Sequence, residues 1–106
     1  MRRGNIFASV PDPASEEIFE TLVQSGRVRV ERIISDAHAS PGGFWYDQDQ
    51  SEFVLLLKGS AGLKFEGRDE VAVLTPGDWI DIPAHLKHRV EWTDSGEKTV
   101  WFAVFY

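Results

Sequence analysis

Any chemistry in this chain is carried without sulfur nucleophiles. The 106 residues contain no cysteine, which excludes a thiolate, Cys-ligated zinc and iron–sulfur clusters. Three histidines are present, His38, His85 and His88. A metal site would have to combine these with carboxylates or rarer oxygen ligands. His88 is the best placed. The stretch His88-Arg89-Val90-Glu91-Trp92-Thr93 alternates, and residues two apart on a strand share a face. His88, Val90 and Trp92 are therefore expected inside, and Arg89, Glu91 and Thr93 outside. Glu52 opens an apolar run from Phe53 to Leu57. If Glu52 points inward on a regular strand, Gln48 and Tyr46 point inward too, while Asp47 and Asp49 point out; a bulge near Gly42-Gly43 would reverse that parity. Imidazole, carboxylate, carboxamide and phenol in one interior could hold a divalent first-row ion through mixed N/O donors. They could also move protons, with His88 and Tyr46 as acid and base. The other candidates read more plainly: His85 in a turn, His38 in a loop beside Ser40-Pro41-Gly42, and Asp47, Asp49 and Glu52 as a solvated acidic cluster. No Gly-x-Ser-x-Gly elbow and no phosphate-cradling glycine loop opening a helix is found.

These side chains need elements to hold them. From Val28 onward the pattern is that of strands. Arg27 to Glu31 alternates, and further strand signals follow at Leu63–Glu66, Val71–Leu74, Trp79–Ile82, His88–Trp92 and Thr99–Tyr106. Turn residues separate them: Gly59, Gly67-Arg68-Asp69, Pro76-Gly77-Asp78, Pro83 and Asp94-Ser95-Gly96. Short, regularly spaced strands without intervening helices predict an all-β sandwich or barrel. The first 26 residues read differently. Asp12-Pro13 is a helix-start signal, Ile18, Phe19, Leu22 and Val23 make an apolar stripe, and Gly26 is a stop. One short helix is expected over roughly 14–25. Both faces of the last strand are apolar, with Trp101, Ala103 and Phe105 on one and Val100, Phe102, Val104 and Tyr106 on the other. A strand covered on both faces predicts a second layer outside the interior, and a homodimer would supply it. Four Trp, seven Phe and two Tyr are enough to build a core in a single domain of this size.

Two segments resemble the paired motifs of the cupin superfamily. Gly77-Asp78-Trp79-Ile80-Asp81-Ile82-Pro83-Ala84-His85-Leu86-Lys87-His88 is similar to the cupin pattern G-x5-P-x-G-x2-H. Gly77, Pro83 and His88 match, His85 stands where the family usually has Gly, and Trp92 stands where it often has Asn. Glu52 to Gly59 matches the E-x6-G half of the first motif, without the H-x-H half before it. The resemblance implies a single jelly-roll β-barrel over 27–106 behind an N-terminal arm and helix over 1–26, often with a metal inside. It gives Glu52 the carboxylate role and His88 the role of the last histidine. The two absent histidine positions fall on Tyr46 and Gln48 with a three-residue spacer before Glu52, or on Trp45 and Asp47 with a four-residue spacer. Side-chain parity selects Tyr46, Gln48, Glu52 and His88 as the ligand set for a divalent first-row ion.

Three functions fit this reading: a metal-dependent enzyme acting on a small oxygen-bearing molecule, a metal-free small-molecule binding or sensing module, and metal-free acid–base chemistry such as isomerisation. A formal net charge of −6 repels phosphate backbones, so nucleic acid is not an expected partner. No leader is visible and no run approaches the ~18 apolar residues of a membrane span. A cytoplasmic location is the expectation.

Overall fold

Residues 1–13 and 15–106 are described in the structure, a computed structural model. Their eight strands are β1 (Ile18–Ser25), β2 (Val28–Ser35), β3 (Glu52–Lys58), β4 (Ala61–Phe65), β5 (Val71–Leu74), β6 (Trp79–Ile82), β7 (His88–Thr93) and β8 (Thr99–Phe105). They form two antiparallel sheets, one in the order β1-β2-β8-β3-β6 and one in the order β5-β4-β7. The sheets face each other as a jelly roll, and Val54, Leu56, Leu63, Leu74, Ala103 and Trp101 are buried between them. Among the described residues no helix is long and apolar enough to cross a membrane.

The expected helix over 14–25 is a strand. Ala14 lies outside the described residues, and Ile18–Ser25 pairs antiparallel with β2. Thr21 faces Glu31 while Val23 faces Val30, which leaves Leu22 as an extra, bulged residue. The bulge explains the misreading. A strand with one extra residue loses its two-residue alternation, and Ile18, Phe19, Leu22 and Val23 then mimic a helical stripe. Gly26, with φ of 56°, opens the two-residue turn of a β1–β2 hairpin rather than closing a helix.

A second bulge corrects the expected face of Trp92. Gly62 pairs with Trp92 but Leu63 with Val90, so Glu91 is the extra residue. Beyond it the parity inverts: Thr93 is buried, and Trp92 is 38% exposed and lies over Gly62. The tryptophan that lines the interior is Trp101, on β8.

One side chain, Arg32, ties the first 26 residues down. The Arg32 guanidinium on the outer face of β2 donates to the carbonyls of Ile6, Ala8 and Ser9 and pairs with Glu20 at 2.8 Å. Arg32 is 6% exposed, so the N-terminal arm is laid over a buried charge that needs its carbonyls.

Gly59 joins β3 to β4 with φ of 86°, and a Cβ there would sit 2.8 Å from Thr99 Cα. Both the left-handed backbone and the close approach of β8 demand glycine. Gly59→Ala is expected to cost about 2–4 kcal/mol in a urea unfolding series, from backbone strain and overpacking together.

Candidate functional site

The segment between β2 and β3 does not form a named strand, yet it is positioned by β7. Ser40 N–H donates to Val90 O at 2.8 Å, and Tyr46 and His88 exchange backbone bonds of 2.7 and 3.1 Å. Tyr46 therefore extends the smaller sheet beyond β7. His85 N–H donates to Gln48 O at 2.8 Å and fixes the next two residues. Glu52 then crosses to the larger sheet, between Ile82 and Phe105. A cavity of about 320 Å³ opens between the sheets, and Tyr46, Gln48, Glu52 and His88 all line it. Asp47 and Asp49 lie outside, where both face the exposed ring of His85 at 2.8 and 3.7 Å. His85 adopts φ of 64°, a turn conformation that His tolerates better than most residues.

Glu52 and His88 meet across the gap between the sheets. His88 Nδ1 lies 2.9 Å from Leu86 O. A carbonyl only accepts, so Nδ1 carries a hydrogen and Nε2 faces the cavity. His88 Nε2 is 3.5 Å from Glu52 Oε1, with both side chains almost wholly buried. Gln48 Nε2 donates to the same Glu52 oxygen at 3.0 Å. The Tyr46 ring stacks on the imidazole with centroids 5.4 Å apart. Burial alone pulls the His88 pKa down, but Glu52 and the Leu86 carbonyl outweigh it and hold the imidazole above its ordinary value. Burial, with Glu17 and Glu52 nearby, pushes the Tyr46 phenol up to about 12. Tyr46 is therefore a proton donor at neutral pH.

Three cavity residues escape a sequence reading. Glu17, just ahead of β1, accepts from Ser35 Oγ, and Ser35 in turn accepts from Trp101 Nε1 at 3.1 Å. Ser35 is fully buried. This relay aims Glu17 into the cavity, and burial is the largest cause that raises its pKa above the usual carboxylate value. Arg29 and Glu31 on β2 also face the cavity, paired at 2.8 Å. The alternation of β2 was visible, but its polar face is the one turned inward. No rule of side-chain polarity would have found that.

The four residues expected as metal ligands come together, yet their chemistry does not fit a firmly held first-row ion. His88 Nε2 and Glu52 are donors of ordinary strength. Gln48 offers only a carboxamide and already bonds Glu52, and Tyr46 keeps its proton. Among the described residues no three His, Asp or Glu side chains are grouped to hold a metal.

No family model and no curated protein sequence matches the chain. Solved structures do. A "putative mannose-6-phosphate isomerase" of Ralstonia eutropha JMP134 is 51% identical over 99% of this chain and 97% of that one, with a TM-score of 0.95. A cupin superfamily protein of Desulfitobacterium hafniense DCB-2 is 21% identical over 99% and 91% of the two chains, with a TM-score of 0.76. The polyketide cyclase RemF of Streptomyces resistomycificus is likewise 21% identical, over 99% and 78%, with a TM-score of 0.77. The last two are similar in fold. The chain belongs to the cupin superfamily.

Glu17 and His88 both bind protons more tightly in the folded chain than outside it. Such a group stabilises the fold fully below its unfolded value, and the gain is lost as pH rises through the folded value. The two losses begin above the ordinary values of 4.5 and 6.5 respectively. Thermal unfolding across pH 4–9 tests this. Glu17→Gln, which still accepts from Ser35, should melt higher than the parent at pH 8 and level with it at pH 4. The advantage of the parent over His88→Gln should shrink between pH 6 and 9.

Proposed function

We propose that the chain is a small-molecule cupin that moves a proton on a hydroxy-carbonyl compound held in its cavity, an isomerase-type reaction. One observation carries this reading: an imidazole and a carboxylate meet at 3.5 Å inside the cavity, with a firmly protonated phenol stacked beside them. The 51% identical protein of Ralstonia eutropha, described as an isomerase, supports the same class.

Neutral His88 accepts the proton of a carbon next to the substrate carbonyl through Nε2. The Leu86 carbonyl holds the other ring nitrogen, and Glu52 stabilises the imidazolium that forms. Tyr46 donates a hydrogen bond to the carbonyl oxygen as negative charge builds there. The neighbouring hydroxyl proton passes to the former carbonyl oxygen and His88 returns its proton to the former carbonyl carbon, which completes the isomerisation with no redox partner required. Phe105, Trp101 and Ile33 exclude water from the reacting face and strengthen each of these polar contacts.

The test is exchange of carbon-bound hydrogen in D2O, followed by NMR, with mannose 6-phosphate, fructose 6-phosphate and their unphosphorylated sugars. His88→Ala should slow exchange ~100-fold or more, in the range general acid–base catalysis contributes, and Tyr46→Phe at least tenfold. Exchange no faster than in buffer for all four compounds overturns the reading. Stoichiometric manganese, iron, nickel or zinc in untagged protein overturns it in favour of metal-dependent chemistry.

We also propose that the chain is a homodimer, with a second copy against the outer face of the larger sheet. Phe53 and Trp79 stack there at 5.5 Å, and Trp79 is 61% exposed. Light scattering should give twice the 12.0 kDa chain mass at micromolar concentration, and Trp79→Glu should return the monomer. A monomeric parent removes the proposal.

A further inference from the structure

Three arginines are packed into this fold, and they are used in two different ways. Arg32 places its terminal nitrogens on three backbone carbonyls and Glu20. Arg89 places its own on the carbonyls of Pro41 and Ser40, with Nε on Glu91. Both have their terminal nitrogens on acceptors within the protein, as structural arginines should. Arg29 differs. Its Nε donates to Glu31 Oε2 at 2.8 Å, and its guanidinium carbon lies 4.4 Å over the ring of Phe105. These two contacts fix the plane of the group. Among the described residues neither terminal nitrogen meets an acceptor. A guanidinium present only to neutralise Glu31 would turn a second nitrogen onto that carboxylate, since the bidentate pair is the stronger one. Arg29 instead keeps its outer edge free at the cavity, with the side chain 34% exposed.

Its position relative to the acid–base pair is set by the sheet. Phe105 pairs with Arg29 on one side and with Glu52 on the other. The three stand on one cross-strand row, so Arg29 and Glu52 are two strand spacings apart, about 10 Å at Cα. Their side chains reach into the same cavity and shorten that span.

We propose that Arg29 is the anion anchor of the cavity, and that the ligand is a small organic oxyanion, a carboxylate or phosphate ester of about three to six carbons. The charged end pairs with the two free nitrogens of Arg29, and the uncharged end lies against His88 and Glu52. The inference rests on the reading of the cavity as a small-molecule site, and it adds the charge and length of the molecule. Glu31 offsets the cation, so binding relies on the directed fork more than on net charge.

A matched set of probes tests it: glycerol, glycerate and glycerol 3-phosphate, titrated into 15N-labelled protein and followed by NMR. Glycerate or glycerol 3-phosphate should bind at least tenfold tighter than glycerol, and the tighter of the two names the anionic group. Arg29→Gln should bring the anions down to the level of glycerol. Arg29→Lys, which keeps Glu31 paired if the first variant fails to fold, should lower anion affinity at least threefold because the fork is gone. Equal binding of all three probes by the parent, or a preference for anions that survives both substitutions, overturns the anchor. Shifts at His88 with glycerol would then leave the cavity reading standing. No shift at His88 with any probe removes both.

Discussion

Glu52 and His88 begin their strands on opposite sheets and meet at 3.5 Å above the hydrocarbon core between them. Burying a carboxylate and an imidazole costs several kcal/mol unless each is compensated. Much of the surrounding structure is arranged as that compensation. The Leu86 carbonyl takes one ring hydrogen, the Gln48 amide adds a donor to Glu52, and Tyr46 closes one face of the imidazole. Register follows from the same demand. Val54 and Leu56 share the face of Glu52, and Val90 that of His88. A one-residue slip of either strand would turn the polar residue and its apolar partners out together. The core beneath the site therefore also aligns it.

The interior is a small charge ledger in its own right. Arg29 answers Glu31 and His88 answers Glu52. Glu17 makes no ion pair among the described residues and is held by hydrogen bonds instead, from Ser35 and, through it, Trp101. Burial is the largest cause of its raised proton affinity. A cavity of this kind can stay near neutral while presenting both donors and acceptors, although the whole chain carries a formal net charge of −6.

Most of the fold was legible from the pattern of apolar residues, because β2 to β8 keep the two-residue period over most of their length or run apolar on both faces. The superfamily signature was legible in Gly77, Pro83, His88, Glu52 and Gly59, which stand at turns and strand starts where spacing is rigid. Parity placed Tyr46 and Gln48 with Glu52 even outside a named strand. Reading failed where parity itself broke: at Leu22, whose bulge disguised β1 as a helix, and at Glu91, whose bulge turned Trp92 outward. It failed again where polarity pointed the wrong way. Arg29, Glu31 and Glu17 are charged residues facing inward, and their reason lies in pairing partners that only the folded chain brings near.

β8 occupies the middle of the larger sheet, with β2 on one side and β3 on the other. It is also the last of the eight strands in sequence. A chain emerging from the ribosome has made β1 to β7 before the strand that joins their two groups exists. Until then β2 and β3 present open edges and the apolar faces that Trp101, Ala103 and Phe105 will cover. Such pairings between distant segments are slow to form and exposed to aggregation meanwhile. Folding is thus tied to the end of synthesis of this domain, and the loss of a few residues from β8 would remove the seam of the larger sheet rather than fray its margin.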